Sequence, residues 1–151
     1  MQPFQPQPGQ VLTAEYLRRA ARFSQHTPTL SGQFTAPALG TGGMLTMDVH
    51  TSGRLVVCEL SLTFGTGGGG GNGFYFVSLP YPAAARPGAA VGTAHFLRAT
   101  PPTTRIAAIR LWDHQRVKFT MTSDDTNVGH AIPWVWTSGD RIDGHVTYLA
   151  A

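Results

Sequence analysis

The sequence is short of charge. Only 13% of its 151 residues are Asp, Glu, Lys or Arg, about half the usual share of roughly 25%. A surface without charge must be finished with Thr, Ser, Gly, Gln and Pro or covered by other subunits, which points to a component of an assembly. Lysine is nearly missing: ten of the eleven basic residues are arginine, and Lys118 is the exception. Apart from Arg18, Arg19 and Arg22 the basic residues are scattered along a chain of net charge +3. The dense basic stripe with interleaved aromatics that nucleic acid requires is not there, so no nucleic-acid partner is expected.

Cysteine is represented by Cys58 alone, which excludes an intramolecular disulfide and a Cys-based zinc site. Among its apolar neighbours a free Cys acts as a small hydrophobe. No run approaches the ~18 apolar residues of a membrane-spanning helix, and no membrane partner is expected. Residues 1–6 lack the charged-then-apolar layout of a signal peptide, so the expectation is synthesis in a cytoplasm without export by that route.

Catalytic patterns are also wanting. Gly68, Gly70 and Gly73 spell a literal G-x-G-x-x-G, but a dinucleotide site needs that motif to open a helix. Here Phe74, Tyr75, Phe76 and Val77 follow, a strand pattern, and no G-K-[ST] completes a phosphate loop. The glycine run therefore reads as a flexible hairpin loop. The six histidines, His26, His50, His95, His114, His130 and His145, include no pair at i, i+2 or i+4, so no single strand or helix offers two metal ligands. Asp124 and Asp125 lack the Gly and closing Glu of a calcium loop. They read as an exposed turn, and so do Asp140 and Asp143. No Ser sits in G-x-S-x-G, and Glu59 has no distinguishable carboxylate partner for glycoside chemistry. No catalytic residue, metal or cofactor is expected, and the chain reads as a non-enzyme.

What remains describes one domain preceded by an arm. Residues 1–10 hold three Pro, four Gln and a Gly around Phe4. Such a segment cannot build a core, and it reads either as a tail or as an arm anchored on a neighbour by Phe4. Thr13 suits a helix N-cap, Glu15 the positive first turn, and Leu12 with Leu17 a hydrophobic staple. Arg18, Arg19 and Arg22 fall near the C-terminal end of the helix so predicted, about residues 14–22, where cations are favoured. So short a helix must dock on something. Residues 1–26 are therefore assigned as an attachment segment and 27–151 as the β-domain.

From Thr27 the period becomes that of strands and turns. Residues 27–43 read as an extended connection. Strands are expected at 44–50, 54–64, 74–79, 91–98, 105–112, 116–122, 132–136 and 142–149. In the clearest one, Val56, Cys58, Leu60, Leu62 and Phe64 line one face, and Glu59, Ser61 and Thr63 the other. The expected fold is all-β, a sandwich of jelly-roll type with an extended arm and one short N-terminal helix. Alternation places Trp134 and Trp136 on one strand face. They read as core or interface residues, with a platform for a sugar ring as the alternative.

Several segments resemble a β-domain of virion proteins in tailed phages of actinobacteria. Thr27-Pro28-Thr29-Leu30-Ser31-Gly32 and Pro37-Ala38-Leu39-Gly40-Thr41-Gly42 are similar to that family's TPTLTG…PxLGTG opening. Phe64-Gly65-Thr66-Gly67, Gly71-Asn72-Gly73-Phe74-Tyr75 and Ser78-Leu79-Pro80 resemble its FGTxG…GNGxY…SLP pattern. Gly9 to Leu17 resembles the short G-x-x-L-T-A-x-x-L-N helix of tail and fibre proteins. The likeness covers about residues 9–94. It departs at His26, where an aromatic is usual, at Arg18, where the helix motif ends in Asn, and over 44–50, which lack a Gly-Arg-Tyr start. The resemblance implies a virion protein of the minor-tail type, with head-decorating relatives, and brings no catalytic residues. The expected partners are the chain itself as a homotrimer and tail or major capsid proteins, with a host cell-surface glycan if the chain binds a receptor.

Overall fold

The computed structural model describes residues 22–151, and of Arg22 the backbone alone. Phe4, Leu12, Leu17, Arg18, Arg19 and most of the expected helix lie outside these residues. Arg22, the last residue of that expected helix, is extended instead, because its backbone opens a strand that pairs in the sheet.

Among the described residues nine strands follow one another: β1 (Arg22–His26), β2 (Leu30–Gly32), β3 (Met44–Ser52), β4 (Leu55–Thr63), β5 (Tyr75–Ser78), β6 (Ala90–Arg98), β7 (Thr103–Leu111), β8 (Arg116–Met121) and β9 (Arg141–Leu149). They form one sheet in the order β1-β3-β4-β9-β6-β7-β8-β5-β2, and every neighbouring pair is antiparallel.

Strand alternation decides which face of this sheet is dry. In β3 Leu45, Met47 and Val49 are buried, and in β4 Val56, Cys58, Leu60 and Leu62. Ile142, Val146 and Tyr148 of β9, Phe96 of β6, Ile109 of β7 and Phe119 of β8 join them in one core. Each fully buried large apolar side chain contributes about 1.5–3 kcal/mol relative to exposure.

The sheet is curled. Its two edge strands, β1 and β2, are joined only by Thr27, Pro28 and Thr29. The four Cα-to-Cα steps from His26 to Leu30 span at most about 14 Å, so the two edges are drawn together. Phe64, continuing β4, also meets Tyr75 of β5, with ring centroids 6.5 Å apart, although four strands separate β4 from β5 in the sheet order. The dry face is thus wrapped inside, and the outer faces of β4 and β5 point away from each other.

The glycine run is no free hairpin. It lies along residues 35–41 through bridges Thr41 to Thr66, Ala38 to Gly69 and Thr35 to Asn72. Gly69 has φ 93°, and a Cβ there would stand 2.7 Å from the Trp136 carbonyl oxygen. Only glycine lets this backbone approach so closely.

The strand expected over 132–136 is absent. Gly129 and Ile132 make an isolated bridge, Pro133 has no N–H to give a ladder, and burial of the indoles fixes the segment instead.

Candidate functional site

Two outer faces of the curled sheet gather polar chemistry. The first lies over β3, β4, β9 and β6. In register, Asp48 stands opposite Glu59, Glu59 opposite His145 and His145 opposite Thr93. One row along, Thr46, Ser61, Asp143 and His95 stand opposite one another in the same order. All of these except Thr93 wall a shallow groove of about 390 Å³. A second depression of about 380 Å³ shares Asp48 and Glu59 and runs on to Phe23, Gln25 and His50.

Directly opposed side chains on an antiparallel pair have Cβ atoms about 4.5–5.5 Å apart, and like charges so placed repel. Asp48 and Glu59 are such a pair. Among the described residues neither has an ion-pair partner. Asp143 is engaged, accepting from Ser61 Oγ at 2.8 Å and pairing with Arg141 at 2.7 Å. Beyond Asp48 the face turns apolar. Phe23 is 73% exposed and meets His50 edge-on at 4.2 Å, while exposed Leu55 and Leu149 face each other across β4 and β9.

The other face lies over β5, β8 and β7. Phe76 points outward between inward Tyr75 and Val77, yet it is only 2% exposed. The Trp112 ring covers it at 5.0 Å, and the Arg116 guanidinium lies 5.2 Å from its centroid. Lys118 Nζ stands 5.4 Å over Trp112, and Arg110 is directly opposite Lys118. The result is a ladder of alternating cations and rings, an arrangement favoured by the ring quadrupole. Asp113 pairs with Arg116 at 2.7 Å. Partial desolvation pushes its carboxyl up, but hydrogen bonds from Arg116 and from the Gln115 N–H outweigh this and hold it below the usual carboxylate range.

Trp134 and Trp136 are 8% and 2% exposed. Their rings lie 5.4 Å apart, and Trp136 also packs on Phe64 at 5.3 Å and Phe96 at 5.5 Å. Trp136 Nε1 donates to the Gly129 carbonyl at 2.9 Å. Trp134 Nε1 has no hydrogen-bond partner among the described residues, and the Arg98 guanidinium sits 5.9 Å from its ring centroid. Both indoles face the core and offer no stacking platform to solvent.

Asp140 overturns the expectation of an exposed turn. It is fully buried, because its carboxylate accepts from the N–H groups of Ala99 (2.8 Å) and Thr137 (2.9 Å). Its carbonyl accepts from Phe64 N–H at 2.9 Å. Asp124 keeps the expected exposed turn, and the hydrogen bonds from Thr126 hold its carboxyl below the usual range. Cys58 is buried with its thiol pushed up to about 12 by desolvation, which removes it as a nucleophile.

Among the described residues no group of three or more His, Cys, Asp or Glu could hold a metal ion, and no helix is long and apolar enough to cross a membrane. Sequence reasoning weighed Glu59, Asp143, His95 and His145 one by one and passed over Asp48. Asp48, Asp143, His95 and His145 become a group only through strand order, and Phe76 with Trp112 only through the pairing of β5 with β8. No family model, curated protein or solved structure matches the chain. The likeness to phage virion proteins rests on the sequence motifs alone.

Proposed function

We propose that this chain is a non-enzymatic structural protein of a bacteriophage particle, associated with the tail or its fibres and working as a homotrimer. Its curled sheet is, on this reading, a sandwich of jelly-roll type, with residues 1–26 as the attachment segment, rooted in the sheet through its last residues, Arg22–His26, as edge strand β1. The observation that carries the proposal is an apolar surface on a charge-poor chain. Ten large apolar side chains stand exposed among the described residues, Phe23 and Phe34 each at 73%. Scattered exposed apolar residues are ordinary, but exposed Phe and Trp beside grooves and cations favour contact with protein. The motif likeness supports a phage origin, and the β1–β2 link between the sheet edges supports a closed two-layer arrangement.

Purified particles, banded by density and probed for this chain with an antibody, test the proposal. Co-banding at a fixed copy number per particle is expected. A chain found only in the unassembled lysate overturns it.

A further inference from the structure

We propose that the chain binds a second copy of itself front to back, the groove face over β3, β4 and β9 of one copy seating on the aromatic, cationic face over β5, β7 and β8 of the next. The inference rests on the assembly reading above and names the two surfaces that build the assembly.

The chain separates its charges between these faces. Along the groove rows, among the described residues, Asp48, Glu59 and Asp143 are set against Arg141, which leaves those rows with a formal charge of two negative. At the back, Arg110, Arg116 and Lys118 are set against Asp113, which leaves it two charges positive. A chain so poor in charge has no need of either imbalance for folding. The front even places Asp48 opposite Glu59, where repulsion is greatest.

A cationic surface brought over that pair relieves the repulsion, and the back face is such a surface. The apolar groups correspond as well. Phe23, Leu55 and Leu149 are exposed along the front, and Trp112 on the back. A front-to-front or back-to-back contact would oppose like charges, which disfavours it. The outer faces of β4 and β5 point away from each other, because Phe64 and Tyr75 meet between them. One copy therefore presents both faces at once. Such a heterologous contact closes into a ring or runs on as a chain, and the proposed trimer is the ring.

Charge reversal on the full chain tests this, read by sedimentation in low salt and in ~0.5 M salt. The front-reversed variant is D48K/E59K and the back-reversed variant is R110E/K118E. Each alone should associate at least tenfold more weakly than wild type, because its two faces now carry one sign. Mixing the two should restore association. The chain carrying all four changes should also self-associate, a gain that a misfolded chain would not show. If reversal at Lys118 unfolds the chain, D48K with R110E replaces the set.

Variants that associate as wild type does, or a mixture without rescue, overturn the front-to-back contact. So does a wild-type chain that stays monomeric at ~100 µM in low salt, a concentration that would populate even a weak complex. Association lost in R18Q/R19Q but unmoved by either face reversal makes the N-terminal segment the occupant and overturns it too. Rescue that succeeds while the chain is missing from particles contradicts the virion reading and upholds this contact. No rescue, with the chain still on particles, does the reverse.

Discussion

The carboxylate of Asp140 accepts a hydrogen bond from the backbone N–H of Ala99, 41 positions away, at 2.8 Å. Its other oxygen takes the Thr137 N–H, so one side chain ties the end of β6 to the turn that enters β9. Buried N–H groups must be paired, and here a carboxylate with two acceptor oxygens pairs two of them.

Asp140→Asn is expected to destabilise the fold by about 2–4 kcal/mol, since hydrogen bonds to charged groups are worth roughly 1.5–3 kcal/mol each. Asn keeps the shape, but its NH₂ faces a donor, so one N–H is left without an acceptor. Urea denaturation followed by fluorescence measures the change. A variant within 0.5 kcal/mol of wild type, to within about the error of such fits, contradicts the stapling role.

The two indoles should behave differently. Trp136→Phe loses the bond to the Gly129 carbonyl and part of the packing on four rings. Trp134→Phe removes an N–H that has no partner among the described residues. The first change should therefore lower stability by at least about 1 kcal/mol more than the second. Replacement of Trp136 by Ala should cost about 3–5 kcal/mol. Equal melting temperatures for the two Phe variants would refute the asymmetry.

Alkali should weaken the fold in a defined window. Burial pushes the Cys58 thiol and the Tyr75 phenol up to about 12 from ordinary values of 9.0 and 10.0, and it raises Tyr148 as well. For groups raised in this way the native state keeps protons that the unfolded chain gives up. The stability is fully present below about pH 9 and is lost as pH rises from there toward 12. Each group contributes a slope of about 1.4 kcal/mol per pH unit once its unfolded form ionises. Cys58→Ala should move the onset up by about one pH unit, toward the tyrosine range. Urea midpoints at pH 7, 9 and 10.5 measure this, and a flat profile counts against the buried thiol and phenols.

Two neighbouring glycines separate conformation from crowding. Gly69 and Gly70 both have positive φ, 93° and 71°, but a Cβ at Gly70 meets open space whereas one at Gly69 meets Trp136. Gly70→Ala should cost about 1–2 kcal/mol from the left-handed backbone alone. Gly69→Ala should cost clearly more, and thermal melts of both decide it.

Much of this architecture was legible where alternation was strong. The inward set of β4, from Val56 to Leu62, reads directly off the sequence because one wet and one dry face impose period two. Trp134 and Trp136 do share one side, but they are held by burial in a loop, and the same alternation mistook that loop for a strand. β1 escaped notice because Phe23, Ser24 and Gln25 are exposed at an edge and carry no apolar period. Asp140 escaped because its partner Ala99, just past the end of β6, is 41 positions away in the sequence. The groove of Asp48, Glu59 and His145 is a product of strand order, which no local pattern encodes.

Imaging of purified particles tests the proposal that this chain is a structural part of a phage particle. A symmetry-expanded cryo-electron microscopy reconstruction of purified particles should contain a repeated density that the nine-stranded curled sheet fits, grouped in threes on the tail or fibres. Particles complete in every other component, with no density for this fold at any symmetry position, would contradict it.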